Sequence, residues 1–263
     1  MTDPSRNADM DAEPSTQTGR DQPDPVPSVQ YLERAVFLPA ADTLIIADCH
    51  LGKGAASRVE APVDGGDDVR ERLLGLVHET GPETLLIAGD LLHSFSTIPH
   101  GVDWHVTRLE RAVADAGAEL VVTPGNHDSM LEGVFDGPAA SQRLLADGGT
   151  LVCHGHVRPD LSALDDPAAI TRIVVGHDHP AISIGGRKLP CLLYGPGQWR
   201  GRDVVMLPAF TKSAAGVSVN DLRGAALQSP LIQDIGDCRP AVYDVEAREP
   251  RWFPPLERCR HLL

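Results

Sequence analysis

Long apolar runs are missing from this sequence of 263 residues. Its apolar stretches, such as the one at residues 85–88, span a handful of residues, whereas a membrane-spanning helix needs roughly 20. This absence excludes a transmembrane helix. The N-terminus also lacks the basic start and apolar run of a secretory signal, so we expect the protein to remain in the cytoplasm.

Cysteines with paired spacing are also missing. The five cysteines are scattered along the chain, and no two of them form a CxxC pair. In an intracellular protein of this size, that spacing argues against a disulfide framework and against a zinc finger. We therefore expect free thiols, most of them buried.

Basic and aromatic residues are scarce. The formal net charge is -14, aromatic residues make up 4% of the chain, and only Lys53, Lys188 and Lys212 are lysines among 23 basic residues. This composition suits a halophilic protein kept soluble in high salt, and an ordinary acidic cytosolic enzyme is the alternative. Such a surface repels nucleic acid, so contact with DNA or RNA must come from a local patch and from metals at a site.

The first 27 residues differ in composition from the rest of the chain. They are rich in Asp, Pro, Ser, Thr, Gln and Asn and contain almost nothing apolar, so they cannot offset the entropy cost of ordering. We predict a disordered acidic tail over residues 1–27. Residues 28–263 contain enough apolar sequence for one domain with a full core.

Within that domain, short β-type runs alternate at first with helical patterns. The predicted elements of the first half are strands at 31–38, 44–47, 85–88 and 119–123, with helices at 67–79 and about 103–116. The second half is predicted to contain strands at 151–153, 173–175, 181–184, 189–194 and 204–207, with one helix near 141–146. This order predicts an α/β fold in which two sheets pack face to face with helices outside.

Candidate metal ligands directly follow five of the apolar runs. Seven of the eleven histidines fall in these five segments. The segments contain Asp48 and His50; Asp90 and His93; Asn126, His127 and Asp128; His154 and His156; and His177, Asp178 and His179. Strand ends are where α/β proteins place ligands, and oxygen and imidazole donors without thiolates suit Mn, Fe or Zn. An aspartate can also bridge two cations.

Glycines precede three of these segments. Gly89, Gly125 and Gly176 each come just before a candidate ligand. A residue without a side chain lets the backbone turn sharply and approach a metal or phosphate closely.

In this order, D-x-H, G-D, G-N-H-D, H-G-H and G-H-x-H resemble the signature of the calcineurin-like metallophosphoesterases, over about residues 44–180. The resemblance implies a four-layer αββα sandwich of two mixed sheets flanked by helices. It also implies two divalent metal ions, manganese first, with iron, zinc or nickel as alternatives. One ion is then held by Asp48, His50 and His179, the other by Asn126, His154 and His177, and both by Asp90, while His127 is the catalytic histidine.

The flanking sequence is similar to a subgroup of that family. Residues 47–54 (ADCHLGKG) and 89–94 (GDLLHS) look like the ligase-associated DNA-damage-response phosphoesterases and their archaeal relatives. This similarity implies a phosphodiesterase or nuclease, with DNA ligase or helicase as partners. His93 stands where many other relatives have Asp. It either supports the site or touches substrate, or it is a hydrogen-bonded structural residue.

In the implied mechanism, a water shared by the two ions attacks phosphorus, and His127 stabilises charge or protonates the leaving oxygen. Asp128 either orients the His127 ring or caps a loop. We expect His156 to lie over or beside the site, and Asp178 to face solvent or cap a turn. Further residues that could reach a phosphate, with a surface role as the alternative, are Lys53, Arg58 and Arg158.

The sequence is compatible with three classes of function. A nuclease is favoured by the subgroup resemblance. A hydrolase of small phosphoesters, such as nucleotides or cyclic nucleotides, is favoured by the acidic surface and by the lack of basic clusters and aromatic-rich stretches. A non-catalytic scaffold is the third class, and the intact ligand set argues against it. The oligomeric state is not determined by the sequence.

Overall fold

The computed structural model describes residue 26 and residues 28–53, 65–93, 96–98, 100–222 and 227–262. The predicted tail and Arg58 therefore lie outside the described residues, apart from Val26, which is buried in the core between the sheets. In the described part, no helix combines the length and the apolar character needed to cross a membrane.

Five strands of the described chain form the first sheet. They are β1 (Gln30–Leu32), β2 (Ala35–Leu38), β3 (Thr43–Ile46), β4 (Thr84–Ile87) and β5 (Glu119–Val122), in the order β1-β2-β3-β4-β5. The last three are parallel. Helix α1 (Gly65–Thr80) connects β3 to β4, and helix α2 (Val102–Asp115) connects β4 to β5. Both helices place an apolar stripe on this sheet, as their periodicity predicts.

The remaining described strands form a large and a small sheet. They are β6 (Gln142–Leu144), β7 (Thr150–Cys153), β8 (Arg172–Val175), β9 (Pro180–Ile184), β10 (Arg187–Pro190), β11 (Leu192–Trp199), β12 (Arg202–Met206), β13 (Val217–Ser218), β14 (Arg239–Asp244) and β15 (Glu249–Trp252). The larger sheet has the order β15-β14-β11-β12-β8-β7-β6, with β7, β8 and β12 parallel. The smaller sheet has the order β10-β9-β13.

The two larger sheets pack face to face through a buried apolar layer. Ile45, Leu86 and Val121 of the first sheet share this layer with Val174 and Val205 of the second. Alternate residues of the first sheet point the other way, towards α1 and α2. The outer face of the second sheet is covered by the short helix α3 (Leu256–Cys259) and irregular segments. The predicted α/β sandwich is confirmed.

Three predicted elements are wrong in detail. The helix expected near residues 141–146 is strand β6, because this segment pairs in antiparallel register with β7 and pairing overrides local helical pattern. The strand expected at 31–38 is a hairpin of β1 and β2, in which Glu33 takes a left-handed conformation with φ 46°. The strand expected at 189–194 divides into β10 and β11.

The cysteine prediction is confirmed. Each of the five cysteines lies in the described part of the chain, and each is free and buried. Burial raises the pKa of the thiols, to about 12 for Cys153 and Cys238. These thiols therefore act as small apolar side chains in the core.

Candidate metal centre

The candidate ligands meet at one edge of the sandwich. Strands β3, β4 and β5 of the first sheet and β7 and β8 of the second run parallel within their sheets, and a candidate segment follows each of them. Direct contacts among their side chains and backbone amides connect all seven predicted ligands. The connected residues are Asp48, His50, Asp90, Asn126, His154, His177 and His179.

One group of donors consists of Asp48, His50 and His179. The Nε2 atoms of His50 and His179 face each other at 3.1 Å, and Nε2 of His179 lies 3.2 Å from Oδ1 of Asp48. All three ligand atoms lie within 4.8 Å of one another. The sequence resemblance assigned these same three residues to one metal ion.

A second group of donors surrounds His154. Its Nε2 atom lies 3.1 Å from Oδ1 of Asn126 and 3.5 Å from Oδ1 of Asp90. The rings of His154 and His177 are 5.0 Å apart at their centroids. Asp48, which belongs to the first group, joins the two groups, because its carboxylate also accepts from the His177 amide at 3.1 Å.

The carboxylates of Asp48 and Asp90 are buried, with 0% and 2% exposure. Burial, followed by the charge of Asp48, raises the pKa of Asp90 to about 8. Burial also tends to raise the pKa of Asp48, but the hydrogen bond from His179 and the favourable charge interaction with the same ring hold that pKa below its usual value.

The charge balance of the site fits bound cations. Among the described residues, the ion pairs of these two carboxylates are all with histidines. Burial is the main cause that lowers the pKa of His50 to about 3 and of His154 to about 4, so both rings are neutral at pH 7. Buried carboxylates without a compensating positive charge are costly, and neutral imidazoles offer lone pairs. The donor set therefore fits divalent metal ions.

Five of the seven predicted ligands have left-handed backbone conformations. The φ angles are 57° at Asp48, 49° at His50, 51° at Asp90, 75° at His177 and 49° at His179. Positive φ is uncommon for residues other than glycine, although Asp and His tolerate it better than most. Such conformations concentrate at functional sites, where the surrounding structure holds them. Nothing in the sequence pattern signals these angles.

The three glycines before the ligands are required by close approach. A Cβ atom at Gly125 would contact the Asp90 carboxylate and lie 2.7 Å from the Asp90 backbone nitrogen. A Cβ atom at Gly176 would lie 2.6 Å from Oδ2 of Asp48, and one at Gly89 would overlap the imidazole of His154. The sequence predicted close approach of the backbone to a metal or phosphate at these positions, and the structure shows close approach to the side chains of candidate ligands.

Gly125→Ala is expected to destabilise the protein by about 1–3 kcal/mol and to weaken metal binding, because the added methyl group displaces Asp90. Gly75→Ala is the control. Nothing lies within 4 Å of a Cβ at Gly75, which is inside α1, so this change should stabilise by roughly 0.5–1 kcal/mol. Urea unfolding and titration with Mn²⁺ measure both effects, and equal stability of the two variants would contradict the expectation.

His127 lies at the accessible side of the site. Its amide donates to Oδ1 of Asp90 at 2.9 Å, and its ring nitrogen Nε2 is 3.9 Å from the other oxygen of that carboxylate. The side chain is 19% exposed, whereas that of Asp90 is 2% exposed. Burial, followed by the charge of His93, lowers the pKa of His127 to about 4. The neutral ring keeps one N–H group for a hydrogen bond at the mouth of the site.

Asp128, the next residue after His127, is buried. Its carboxylate accepts hydrogen bonds from the amides of Leu92 at 2.8 Å, Gly125 at 2.9 Å and Leu91 at 3.3 Å. These bonds fasten the loop after β4 to the loop after β5. Of the two alternatives for Asp128, these hydrogen bonds agree with capping of a loop. The carboxylate also accepts from a second loop, the one after β4.

Asp128→Ala should therefore act mainly on stability. Loss of the carboxylate leaves buried amides without their acceptor, which is expected to lower the free energy of unfolding by about 2–4 kcal/mol. Asp128→Asn retains one acceptor oxygen and should lose less. Denaturant unfolding of both variants checks this order, and the reverse order would exclude the proposed role as a loop brace.

Of the two alternatives for Asp178, exposure to solvent is wrong, and the carboxylate instead caps backbone amides of a distant segment. Asp178 is 3% exposed, and its carboxylate accepts from the amides of Gln228 at 2.8 Å and Ser229 at 2.9 Å. Ser229 in turn donates its hydroxyl to the carbonyl of Gly155. These contacts fasten a distant segment to the loops after β7 and β8. They bring together residues about 50 positions apart in the chain, so local pattern gives no signal for them.

The remaining candidates lie around the rim. The ring of His156 is 5.3 Å from that of His154 and 6.0 Å from that of His177, so it lies beside the site as expected. Burial lowers the pKa of the His93 ring, and the positive charge of nearby Lys53 lowers it further. Arg158 is exposed.

Comparison with known proteins agrees with this geometry. Residues 42–210 match the model of the calcineurin-like phosphoesterase family, a range that contains all seven predicted ligands. The chain therefore belongs to the calcineurin-like phosphoesterase family, as its motif order predicted. It is a metal-dependent phosphoesterase, a hydrolase of ester bonds, in a family that typically binds two divalent metal ions.

One solved structure gives the fold further support, and a second is reported beside it. The crystal structure of Pseudomonas putida nuclease MPE matches with a TM-score of 0.54 and 22% sequence identity, covering 80% of this chain and 88% of that chain. Yfce, a phosphoesterase from E. coli, matches with a TM-score of 0.39 and 16% identity over 81% of this chain and 98% of that chain. No match was found among curated proteins.

Proposed function

We propose that this protein is a two-metal phosphodiesterase that cleaves nucleic acid. The observation that carries the proposal is the pair of buried carboxylates, Asp48 and Asp90, set between two groups of histidine donors. In the proposed assignment, Asp48, His50 and His179 would hold one ion, Asn126, His154 and His177 would hold the other, and Asp90 would serve both. Two divalent ions in such a site supply Lewis acidity and lower the pKa of an attacking water.

The chain's own residues supply the remaining chemistry. Because burial keeps His127 neutral, its ring N–H can donate a hydrogen bond to a phosphoryl or leaving oxygen without first binding a proton. The His127 side chain is 19% exposed, so we expect a phosphoester to reach it. Asp128 and Asp178 fasten the loops around the site, which limits the reorganisation needed during reaction.

Two points support a nucleic-acid substrate over other phosphodiesters. The sequence around the first two motifs resembles the ligase-associated DNA-damage-response subgroup. The fold is also similar to that of a protein described as a nuclease. A DNA ligase or helicase is accordingly the proposed partner class, and a co-purification experiment with each tests it.

One observation favours a second candidate, a hydrolase of small phosphoesters. The net charge of -14 repels a polyanion such as DNA far more than it repels a single nucleotide. The two candidates differ in salt dependence, because salt screens the repulsion of a polyanion more strongly. A nuclease on this acidic chain should therefore cleave DNA faster as salt rises, which is also what the proposed halophilic character requires.

The test supplies Mn²⁺, the proposed metal, to metal-stripped protein and measures four substrates. These are bis-p-nitrophenyl phosphate, p-nitrophenyl phosphate, and labelled single- and double-stranded DNA. Faster hydrolysis of the diester than of the monoester, together with DNA cleavage, would support the nuclease. Hydrolysis of the chromogenic esters and of nucleotides, without DNA cleavage at any salt concentration, would support the second candidate.

A further inference from the structure

His93 is held rigidly beside the candidate metal centre. It ends the G-D-L-L-H segment after β4, and its amide donates to the carbonyl of Leu51 at 2.9 Å. The amides of Leu51 and His50 donate in turn to the loop after β4, at 2.8 Å and 2.9 Å. The loops that contain His50 and His93 therefore extend the pairing of β3 and β4 beyond the strands, which fixes the two histidines side by side.

The His93 ring contacts two residues of the site in different ways. Its Nδ1 atom lies 3.4 Å from Nδ1 of His50, with the two rings nearly perpendicular at 87°. Its face is stacked on His127, with ring centroids 5.0 Å apart and an interplanar angle of 15°. The stacking orients the ring, and that orientation aims Nδ1 at His50.

The two ring nitrogens of His50 face different partners. Nε2 faces His179 at 3.1 Å in the first donor group, and Nδ1 faces His93. A neutral imidazole has one N–H and one lone pair, so a lone pair directed at a metal from Nε2 requires the proton on Nδ1. Histidines that bind metals almost always donate this second N–H to an acceptor, which fixes the tautomer and the ring orientation.

We propose that His93 is a positioning residue: its Nδ1 lone pair accepts the Nδ1–H of His50 and so directs the Nε2 lone pair of His50 into the metal centre. This inference rests on the proposed function, because it assigns His50 as a ligand. It resolves the open role of His93 in favour of support for the site. It also links the first donor group to the His127 ring, which stacks on the same imidazole.

The test compares His93→Ala, which removes the acceptor, with His93→Asn, whose side-chain oxygen can replace it. We expect the affinity for Zn²⁺, measured by calorimetry without substrate, to fall about 10–100-fold in His93→Ala and to recover at least in part in His93→Asn. The matched control is His156→Asn, because His156 also lies beside ligand rings, at 5.3 Å from His154. The Zn²⁺ affinity of His156→Asn should equal that of the wild type.

A second measurement reads the tautomer directly. In ¹⁵N-labelled protein loaded with Zn²⁺, long-range ¹H–¹⁵N correlation spectra should show His50 protonated at Nδ1, with loss of this hydrogen-bonded N–H in His93→Ala. Unchanged affinity in His93→Ala, or protonation of His50 at Nε2, would overturn the proposal. Both readouts are independent of substrate, so failure to cleave DNA would count against the proposed function and leave this inference standing.

Discussion

Asp90→Asn is expected to abolish phosphodiester hydrolysis. Removing a residue that only hydrogen-bonds a metal ligand typically lowers activity roughly 10–100-fold, and the loss of activity in Asp90→Asn should be greater than that. Asparagine has the same shape but no charge, so it cannot attract and share two cations as the buried carboxylate can. Metal analysis should show fewer than two ions per chain. The assay is hydrolysis of bis-p-nitrophenyl phosphate by protein supplied with Mn²⁺.

The same substitution should leave the metal-free protein at least as stable as the wild type. Asp90 is 2% exposed, and its pKa of about 8 means that at neutral pH the folded, metal-free protein must bind a proton at this carboxyl, which the unfolded chain leaves ionised. Asparagine is neutral and removes that cost. A gain of about 1 kcal/mol would raise the melting temperature by roughly 2–4 °C. Asp178→Asn is the matched control, because Asp178 is equally buried but contacts backbone amides. Wild-type activity in Asp90→Asn would refute the enzyme mechanism.

His127→Ala is expected to lower kcat about 10²–10⁴-fold while leaving metal content intact. His127 lies at the mouth of the site and belongs to neither proposed ligand group, so its loss removes a hydrogen-bond donor without removing a metal ligand. The measurement is kcat for a diester together with metal content by elemental analysis. A variant that lost metal as well as activity would identify His127 as a ligand.

The size of the His127→Ala defect should depend on the leaving group. An oxygen that leaves easily, such as p-nitrophenolate, needs little protonation, whereas a nucleoside oxygen needs much more. If His127 assists departure, the defect is larger on DNA or on an alkyl ester than on the p-nitrophenyl diester. An equal defect on all substrates would instead assign His127 to stabilisation of charge on the phosphoryl oxygens.

Most of the element order was predictable because buried strands and amphipathic helices leave strong local patterns. Helix α1 was expected at residues 67–79 and extends over Gly65–Thr80, and β4 was expected at 85–88 and extends over Thr84–Ile87. The failures occurred where tertiary contacts decide. Strand β6 forms because its residues pair with the edge of β7. The β1–β2 hairpin turns at Glu33, whose left-handed backbone conformation is uncommon for residues other than glycine and is rarely evident from sequence.

The candidate site was predictable for a different reason. Its ligands sit directly after apolar runs, and parallel strands in one sheet bring their carboxyl ends to one edge. Residue type and position therefore indicate the five segments, and the resemblance to the calcineurin-like family implies which seven of their residues are ligands. The hydrogen bonds by which Asp128 and Asp178 hold neighbouring loops could not be predicted from the sequence. An aspartate that accepts from backbone amides looks the same in sequence as one that faces solvent.

The sequence by itself determined the family, the sandwich of two sheets, the seven candidate ligands and the need for glycine before three of them. Only the tertiary structure decided how those side chains meet. The contact of His50 with His179 joins residues 129 positions apart, and that of His50 with His93 joins residues 43 apart. Such contacts depend on how two sheets pack and on left-handed backbone angles at the ligands, and neither leaves a periodic trace along the chain.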